Sequence, residues 1–498
     1  MPTDEATVRL LDRIARGPVG PKVGAFFDLD GTIVDGYTAG SIYSHRLRHG
    51  EIGPFEILRT LRRMRGPTMT EEQFEELVLD GIRGWARRPE EEIAALGQRL
   101  FSGGPSGTVG DLFHDAHRIL RAHRNAGHTV VIATSATQFQ AAPFARELEV
   151  EHLLCTRLEV RDGVLTGGLA GRTLWGKGKL VAVQRFAAED GIDPGECHAY
   201  ANGDEDVDLL RAVGHPHAVN PQPELAIAAE ASGWPVLRFD SGKAGRLDPL
   251  PVVRTATMFG TLMAAAGVGV VAGVLNRNRR TGVDTATSLF DSVAGPLTGI
   301  SITVHGEHNA WAVRPAVFFL NHQSTMIDFL VTSRIIRSGY TAVAKAEVKQ
   351  MPVVGPLFDL AGVTFLDRAD HRRAVDGLRP AVEILKHGTS VVIAPEGTRS
   401  LTPRVGQFKK GGFHLAAQAG VPIVPIVIRN AGEVMWKNAR TIRSGHVEAV
   451  VLPPISTTGW TKNDIDERVV TLRQRYIDTL DNWPGRDDPQ RIGGTRHD

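Results

Sequence analysis

Along most of the chain, short apolar runs alternate with charged and polar residues, but one long stretch carries no charge at all. Residues 255–276 contain no acidic or basic side chain, and three arginines follow within residues 277–280. About 20 apolar residues are enough for a helix to cross a bilayer core, although Ala and Gly supply much of this run. We therefore predict a membrane-associating segment over residues 255–297. In it, one helix dips into a single leaflet or lies on it, and a second amphipathic helix, about residues 283–297, pairs with it.

The N-terminal sequence predicts on which side of the membrane the protein lies, and the composition of the apolar run leaves an alternative without membrane contact. The first residues, MPTDEATVRLL, have no basic segment followed by an apolar one. Nothing there marks the first half for export, so we expect the protein on the cytoplasmic face of the cell membrane, as a peripheral or monotopic protein. The alternative is a Gly- and Ala-rich helix that is buried between domains or in a homo-oligomer.

An apolar run in the first half ends in two carboxylates. Residues 24–27 lead into Asp28 and Asp30, and Gly31 opens a turn. Side chains two residues apart on a strand point the same way, and two carboxylates held together need a cation, or the pKa of one rises strongly. With Mg²⁺ between them, one carboxylate can attack a phosphorus while the other shuttles a proton. The structural alternative is an acidic turn at a strand end.

Polar side chains further along the first half fit the same chemistry. Thr134 ends a β-rich apolar run, and its hydroxyl can donate to a phosphate oxygen, although a single hydroxyl at a strand end is more often structural. Lys179 lies in Gly-Lys-Gly-Lys at the start of a predicted helix, an electropositive beginning that suits phosphate. Asp204 and Asp208 follow another apolar run, residues 199–201, and supply carboxylates for a hard cation.

The stretches between these motifs predict a helical insertion and a hairpin. About 75 residues after the first strand look helical, and they fit a cap inserted over about residues 36–110. Asp162 and Gly163 stand between alternating apolar and polar residues, which is the signal of a β-hairpin.

Taken in order, these motifs resemble the haloacid dehalogenase superfamily. The match consists of D-x-D-G-T, a strand-end Thr, Lys and G-D-x-x-x-D over about residues 20–240. The stretch at residues 213–221 is similar to the phosphoserine-phosphatase-like branch. The resemblance implies an α/β fold with a doubly wound, Rossmann-like sheet and an inserted helical cap. It implies Asp28 as the nucleophile that forms an aspartyl-phosphate and Asp30 as the acid and base, and it has Thr134 and Lys179 bind the phosphoryl group.

The same resemblance implies a magnesium site and one departure from the branch. Asp28, the backbone carbonyl of Asp30 and Asp204 would ligate Mg²⁺, with Asp208 in support. Phosphoserine phosphatases of this branch carry a Glu nine residues after the nucleophile, where this chain has Tyr37. Phosphoserine is therefore not the expected substrate.

In the second half, an apolar strand leads to a histidine and an acid. Residues 317–320 precede His322, and Asp328 follows within two helical turns. A carboxylate beside a histidine fixes the imidazole tautomer and raises its basicity, so that the ring can take a proton from a hydroxyl. Further on, Arg368 ends Phe-Leu-Asp-Arg and Arg399 lies in Pro-Glu-Gly-Thr-Arg-Ser; arginine binds phosphate through paired N–H groups.

The motifs NHQS, FLDR, PEGTRS and VPIVPI, over about residues 283–460, resemble the glycerolipid acyltransferase family. The best-known members of that family acylate lysophosphatidate. The resemblance implies that His322 deprotonates the acceptor hydroxyl, that Asp328 orients His322, and that the alkoxide attacks acyl-CoA or acyl carrier protein directly to give phosphatidate. The residues that would hold the glycerol phosphate are Arg368, Glu396, Gly397 and Arg399. The family usually has four residues between the His and the acid, whereas this chain has five.

The charge distribution narrows the classes of partner, and the cysteine content narrows the cellular compartment. Residues 251–498 carry 29 Lys and Arg against 21 Asp and Glu, whereas residues 1–250 carry 28 against 35. A basic half beside an apolar run fits anionic lipid or phosphorylated substrates, and a solvated basic face is the alternative. The 2 cysteines cannot form a disulfide framework and suggest a reducing compartment.

We therefore expect a bifunctional enzyme of phospholipid synthesis that binds lysophospholipids, acyl thioesters and the membrane surface, with no nucleic-acid partner. Alternatively, the phosphatase half acts on phosphoserine or another small metabolite, or is a non-catalytic regulatory module. The expected divisions are a leader (1–19), a phosphatase domain (20–240), a linker (241–254), the membrane-associating segment (255–297), an acyltransferase domain (298–482) and a disordered tail (483–498).

Overall fold

The computed structural model divides the chain into two compact units. Unit 1 is Met1–Gly245 and unit 2 is Arg246–Asp498. The described residues are 5–53, 69–102, 112–239, 249–350, 354–366, 379–399, 402–437, 439, 441–461 and 463–484. Arg368, most of the predicted linker and nearly all of the predicted tail lie outside the described residues.

A parallel sheet of six strands forms the centre of unit 1, in the order β3-β2-β1-β6-β7-β8. Its strands are β1 (Gly24–Phe27), β2 (Thr129–Thr137), β3 (His152–Thr156), β6 (His198–Ala201), β7 (His215–Val219) and β8 (Val236–Leu237). Every residue of β1 and β6 is buried, as expected of strands that helices cover on both faces. The doubly wound sheet that the sequence predicts is thereby confirmed.

The helices of unit 1 pack on this sheet and on a separate small core. They are α1 (Glu5–Arg16), α2 (Thr38–Arg48), α3 (Glu71–Ile82), α4 (Glu90–Ser102), α5 (His114–Asn125), α6 (Gln138–Leu148), α7 (Lys177–Glu189), α8 (Val207–Arg211) and α9 (Pro223–Ser232). On one face of the sheet, Phe26 and Val131 share a core with Val183 of α7 and Leu225 of α9. This burial fixes the start of α7, where Lys179 lies, against the centre of the sheet.

Helices α2 to α4 occupy the part of the chain that the sequence assigns to a cap. Trp85, at the end of a 3₁₀ turn after α3, is buried with Ile93 of α4 and with Leu158 and Leu165 of a two-stranded hairpin. The strands of this hairpin are β4 (Leu158–Arg161) and β5 (Val164–Leu169). Asp162 and Gly163 between them have φ values of 50° and 75°, the left-handed pair that a tight hairpin turn requires.

Unit 2 opens with two long helices, α10 (Pro249–Leu275) and α11 (Arg279–Thr298), which pack along each other. A Cβ atom added at Gly282 of α11 would lie 2.5 Å from the carbonyl oxygen of Gly269 on α10. Small residues therefore let the two backbones approach closely. The second helix is longer at both ends than the predicted stretch of residues 283–297.

A mixed sheet of seven strands follows, in the order β12-β11-β13-β10-β14-β15-β9. Its strands are β9 (Ile300–His305), β10 (Val317–Leu320), β11 (Tyr340–Lys345), β12 (Thr364–Leu366), β13 (Ser390–Ile393), β14 (Ile423–Arg429) and β15 (Gly445–Val451). All neighbours are parallel except β14 and β15. Because side chains alternate along a strand, Phe318 and Phe319 enter separate cores on the two faces.

The remaining helices of unit 2 complete these two cores. They are α12 (Asn309–Ala312), α13 (Thr325–Ile336), α14 (Val354–Leu360), α15 (Arg379–Lys386), α16 (Gly411–Ala419), α17 (Ala431–Val434) and α18 (Ile465–Asp481). The hydroxyl of Tyr476 on α18 donates to the carbonyl of Phe319 at 2.8 Å. This bond holds α18 against β10, the strand that leads into the predicted base.

Candidate active sites

Asp28 lies at the carboxyl end of the central strand of unit 1, in a buried charge cluster. Its backbone N–H donates to the carbonyl of Tyr200 at 2.9 Å, which ties the end of β1 to β6. The ammonium group of Lys179 lies 3.0 Å from Asp28 Oδ1 and 2.8 Å from Asp206 Oδ2. All three side chains are at most 7% exposed. Burial, together with the charges of Asp206 and Asp30, raises the pKa of Asp28 to about 7 against the opposing effect of Lys179.

Asp30 faces the first turn of α2. Its two carboxylate oxygens accept hydrogen bonds from the backbone N–H and the hydroxyl of Thr38, at 2.9 and 3.0 Å. Burial raises the pKa of Asp30 to about 6, although both bonds oppose the shift. A carboxyl group with a pKa near neutrality can both donate and accept a proton, as an acid and base must.

Thr134 is level with these groups on the neighbouring strand. In the register of β1 and β2, Phe27 pairs with Ile132, so Thr134 lies at the same edge of the sheet as Asp28. The side chain is fully buried, and its hydroxyl accepts from the backbone N–H of Ala136 at 3.1 Å. The hydroxyl proton is therefore still available for an oxygen of a phosphoryl group.

The structure corrects the placement of Asp204 and Asp208. Asp204 accepts the backbone N–H of Leu225 at 2.8 Å and so caps the first turn of α9. Asp208 is exposed on α8 and faces Arg211 at 3.4 Å. Among the described residues, neither carboxylate shares a hydrogen bond or an ion pair with Asp28, and Asp204 lies three residues beyond the end of β6 at Ala201.

Asp206 and Asn202 are the groups that this end of β6 does bring to the site, and sequence reasoning missed both. Asp206 is fully buried on Lys179, and Asn202, 8% exposed, lies against the turn at Gly31. The position of Asn202 directly after an apolar strand was a signal for its role that the sequence offered. Asp28 is the first residue after β1, and Asn202 is the first residue after the parallel strand beside it.

The donor set of unit 1 fits a hard divalent cation. Asp28, Asp30 and Asp206 bring three carboxylates against one ammonium group, and Asp206 Oδ1 is a buried oxygen with no hydrogen-bond partner. Among the described residues, no group of three or more His, Cys, Asp and Glu side chains has the spacing of a metal site. A cation held here would therefore also need amide, carbonyl, water or phosphate oxygens, which Mg²⁺ accepts readily.

Tyr37 lies on the chain between Asp30 and α2, where the phosphoserine-specific branch has its Glu. Its side chain is exposed, and its hydroxyl accepts from the amide of Gln222 at 3.1 Å. An uncharged phenol offers no carboxylate to a substrate ammonium group, in line with the expectation against phosphoserine.

In unit 2, three parallel strands bring the polar motifs to one edge of the sheet. Phe319 of β10 pairs with Ile393 of β13 on one side and with Pro425 of β14 on the other. The loops that follow β10 and β13, at residues 321–324 and 395–399, therefore lie side by side. Asn321 holds this edge together, because its amide donates to the carbonyl of Ile428 at 2.8 Å and accepts the N–H of Ile428 at 2.7 Å.

His322 and Asp328 form a direct pair. Nδ1 of His322 lies 2.7 Å from Asp328 Oδ2, which also accepts the N–H of Ser324 at 3.0 Å. Helix α13 begins only at Thr325, so the loop before it absorbs the fifth intervening residue. Burial raises the pKa of Asp328 while the bond from His322 opposes the rise. Among the described residues, Nε2 of His322 has no hydrogen-bond partner and is the nitrogen left for a substrate.

Glu396 is a predicted substrate-binding residue whose carboxylate faces the histidine loop. Its two carboxylate oxygens accept the backbone N–H groups of His322 at 2.9 Å and Gly406 at 2.8 Å. The side chain is 4% exposed, and burial raises its pKa to about 7 against these two bonds. Glu396 therefore positions the histidine loop from behind.

Arg399 is a basic residue near the pair of His322 and Asp328. No described side chain forms an ion pair with its guanidinium, whose pKa is lowered by burial while the charge of Asp328 opposes the fall. Its backbone carbonyl accepts from Lys437 at 2.9 Å. Gly397, buried two residues earlier, has a φ of 75°, which turns the chain after β13. Arg368 lies outside the described residues.

Comparison with known proteins matches each unit to a different family. The model of the haloacid dehalogenase-like hydrolases matches residues 25–211, and that of the acyltransferases matches residues 301–429. A 1-acyl-sn-glycerol-3-phosphate acyltransferase of Saccharomyces cerevisiae is 37% identical over 194 residues, or 38% of this chain and 63% of that protein. One of Limnanthes douglasii is 33% identical over 199 residues, or 39% of this chain and 69% of that protein.

Solved structures are similar to parts of the chain. A Bordetella pertussis protein with unknown function is 31% identical, covers 44% of this chain and 99% of its own, and has a TM-score of 0.38. A phosphoserine phosphatase with a phospho-aspartyl intermediate analogue is 20% identical, covers 42% of this chain and 91% of its own, and has a TM-score of 0.32. With respect to the curated acyltransferases compared above, this chain spans about two thirds of their length.

Proposed function

The chain belongs, through its second unit, to the 1-acyl-sn-glycerol-3-phosphate acyltransferase family, and its first unit carries a haloacid dehalogenase-like hydrolase domain; from this premise we propose a bifunctional enzyme of phospholipid synthesis. Unit 2 acylates lysophosphatidate to phosphatidate, and unit 1 hydrolyses a phosphomonoester. The 2.7 Å pair of His322 and Asp328 is the observation that carries the first activity.

In the proposed acyl transfer, the histidine acts on the acceptor and no acyl-enzyme forms. Asp328 accepts the Nδ1 proton of His322 in a hydrogen bond, which leaves Nε2 as the base. Nε2 takes the proton of the acceptor hydroxyl, and the alkoxide attacks the carbonyl carbon of acyl-CoA or acyl carrier protein. The carbon–sulfur bond then breaks, and the thiolate takes the proton from the imidazolium.

Arg399 is the group we propose for the acceptor phosphate. It lies on the loop that faces His322, and an unpaired guanidinium in a partly buried position binds a phosphate strongly through parallel N–H bonds. Gly397 shapes the same loop, and Arg368, which lies outside the described residues, is proposed to assist.

The test of this activity compares purified variants on lysophosphatidate with acyl-CoA or acylated carrier protein. His322→Ala removes the base, and we expect the rate of phosphatidate formation to fall at least about 100-fold. Asp328→Asn keeps the shape but no longer favours the productive tautomer, so a similar loss is expected. His387→Ala, an exposed histidine at the end of α15, is the control. Normal acylation by His322→Ala would refute the proposal.

For the phosphomonoesterase, we propose an in-line displacement by Asp28. Its carboxylate attacks the phosphorus to form an aspartyl-phosphate, while Asp30 gives a proton to the leaving oxygen. Asp30 then takes a proton from the water that hydrolyses this intermediate. Lys179 holds the Asp28 carboxylate and neutralises the phosphoryl oxygens, and Thr134 donates to one of them. Asp28 and the backbone carbonyl of Asp30 would hold Mg²⁺, which would supply charge neutralisation when bound.

Two lipid substrates are consistent with the fusion of both activities in one chain. Phosphatidate made by unit 2 would yield diacylglycerol, in series with acylation. Lysophosphatidate would instead lose its phosphate before acylation, in competition with it. A small phosphorylated metabolite is the remaining candidate, and Tyr37 in place of a Glu argues against phosphoserine.

We also propose that α10 and α11 associate with the membrane surface. Among the described residues, one helix, Pro249–Leu275, is long and apolar enough to cross a bilayer, but Ala and Gly supply much of its length and we favour a dip into one leaflet. Its exposed large apolar side chains extend along the whole helix, namely Leu250, Val252, Val253, Phe259, Met263, Val268, Val270, Val271, Val274 and Leu275. An exposed apolar surface of this length indicates a membrane or protein partner.

The basic patch after α10 is largely engaged within unit 2. Arg279 donates to the carbonyl of Leu360 at 2.7 Å, and Arg280 donates to that of Tyr340 at 2.7 Å. Within the part of the chain that is described, Arg277 is the one arginine of this patch without such a partner. Apolar contact, more than charge, should therefore dominate binding.

Flotation with vesicles of phosphatidylcholine and phosphatidylglycerol tests this proposal. We expect the full chain to float at low salt and to stay bound at 0.5 M NaCl, where the Debye length is only about 4 Å and charge attraction is screened. Phe259→Asp with Val270→Asp should lower the bound fraction at least about tenfold, because a charge in the apolar layer costs about 2.5–3.5 kcal/mol. Ile227→Asp, at an exposed position of α9 in unit 1, is the matched control. No flotation by the intact chain would count against membrane association.

A further inference from the structure

We propose that Asn202 contributes its side-chain oxygen to the cation of the unit 1 site, in the position that the sequence pattern would give to Asp204. The proposal rests on the phosphomonoesterase function proposed above and names the residue through which β6 takes part in it. It makes the third donor of the site a neutral amide and leaves both Asp204 and Asp208 outside the site.

The strand register places Asn202 beside the nucleophile. Phe27 of β1 pairs with Tyr200 of β6, and the N–H of Asp28 donates to the Tyr200 carbonyl at 2.9 Å. Ala201 is thus level with Asp28, and Asn202 is the next residue at the same edge. In parallel strands the carboxyl ends meet at one edge, where ligands of such sheets bind.

The amide of Asn202 faces the turn that carries the two catalytic carboxylates. A Cβ atom added at Gly31 would overlap the Asn202 amide, and Gly31 has a φ of 76°. The glycine therefore admits the amide to this turn as well as allowing the turn itself. Thr32 donates to Asn202 Oδ1 at 3.4 Å, a long bond that leaves this oxygen weakly engaged.

Asp204 and Asp208, the two acids that the sequence pattern assigns to the cation, are committed elsewhere. Asp204 accepts the N–H of Leu225 at the start of α9, and Asp208 faces solvent and Arg211. Asp206 binds Lys179 through Oδ2, while its buried Oδ1 has no partner among the described residues. This orphaned oxygen is an independent sign that the cluster lacks one positively charged group.

The charges of the cluster explain why an amide suffices there. Asp28, Asp30 and Asp206 carry three negative charges and Lys179 carries one positive charge. Glu205 adds a further carboxylate that acts on Lys179, so carboxylates already match the charges of Lys179 and one divalent cation without a charge at position 202. Amide oxygens are ordinary ligands of hard cations, and affinity rises with the number of charged ligands.

The test measures cation binding directly on the full chain, without phosphatase turnover. Mn²⁺ binding is followed by the loss of its free electron-paramagnetic signal, and Mg²⁺ binding by competition with Mn²⁺. We expect Asn202→Asp to tighten Mn²⁺ binding about tenfold and Asn202→Ala to weaken it about tenfold. Asp204→Asn should leave the affinity unchanged and lower the melting temperature, because it weakens the cap of α9.

If Asp204→Asn abolishes Mn²⁺ binding while both Asn202 variants bind like the wild type, the inference is overturned. Unchanged affinity in Asn202→Asp would also overturn it, because a merely structural amide has no reason to bind more tightly as a carboxylate. If the Asn202 variants shift the affinity as expected but no phosphomonoester is hydrolysed, the cation site stands and the phosphatase function fails.

Discussion

At the scale of single residues, Glu396 shows how one buried carboxylate joins two loops of the acyltransferase site. Its oxygens accept the backbone N–H groups of His322 and Gly406. The imidazole ring of His322 is oriented by its own hydrogen bond to Asp328. Because the backbone on which His322 sits depends on Glu396, a change there should alter the rate more than the binding of lysophosphatidate.

We predict that Glu396→Gln lowers kcat for acylation at least about tenfold and leaves KM for lysophosphatidate within about threefold. A glutamine offers one oxygen and one NH₂ group, so one of the two N–H donors loses its partner at a cost of about 1–3 kcal/mol. Steady-state kinetics measures both constants, and Glu383→Gln, an exposed position on α15, is the control. A rise in KM alone would favour direct contact with substrate.

At the scale of elements, a cluster of buried histidines lies between α5, β6 and β7 of unit 1. Nδ1 of His123 lies 2.8 Å from Nδ1 of His128, and its Nε2 lies 2.8 Å from the hydroxyl of Tyr200. Nδ1 of His198 lies 3.3 Å from Nε2 of His217. Burial, with the neighbouring histidines, lowers the pKa of His198 to about 3 and holds the pKa of His123 and of His217 well below the usual range.

This cluster predicts that unit 1 loses stability as the pH falls below about 6.5. The folded state keeps these rings neutral, whereas the unfolded chain binds protons at about pH 6.5. Stability is therefore full above that pH and declines below it, by up to about 1.4 kcal/mol per pH unit for each ring. The urea midpoint of unit 1, followed by hydrogen exchange in β1 and β6, should be lower at pH 5 than at pH 7.5.

Replacing one histidine of the cluster distinguishes the contribution of the cluster to the pH dependence of stability from the general effect of acid. His217→Gln removes a proton acceptor whose Nδ1 is buried without a partner, so the fall in stability between pH 7.5 and pH 5 should be smaller than in the wild type. His49→Gln, at an exposed position after α2, should retain the full fall. An equal pH dependence in all three proteins would show that the cluster is not responsible.

At the scale of the whole molecule, two units with separate cores and separate catalytic groups form one chain. Each unit has its own sheet, and each candidate site uses residues of one unit only. We therefore predict that the two activities are separable by single substitutions. His322→Ala should abolish acylation and spare phosphomonoester hydrolysis, and Asp28→Asn should do the reverse.

An incubation of the protein with labelled lysophosphatidate, Mg²⁺ and an acyl donor, with the lipids separated over time, tests how the two activities are connected. In the wild type, phosphatidate that forms and then declines into diacylglycerol, with no decline in Asp28→Asn, would establish two steps in series. Loss of label from lysophosphatidate as phosphate in His322→Ala would establish competition. Equal accumulation of phosphatidate in the wild type and in Asp28→Asn would mean that unit 1 acts on another substrate or is a regulatory module.

The sequence by itself determined the two families and the doubly wound sheet, and it pointed to most of the candidate catalytic groups, because these depend on short motifs at strand ends. Asp28, Asp30 and the pair of His322 with Asp328 are local features of this kind. Only the tertiary structure decided which acids of the turn after β6 reach the site, since that depends on where the strand ends and on what α9 and Lys179 already bind. It also decided that Glu396 faces two backbone N–H groups from other loops, a relation between distant segments that no spacing along the chain records.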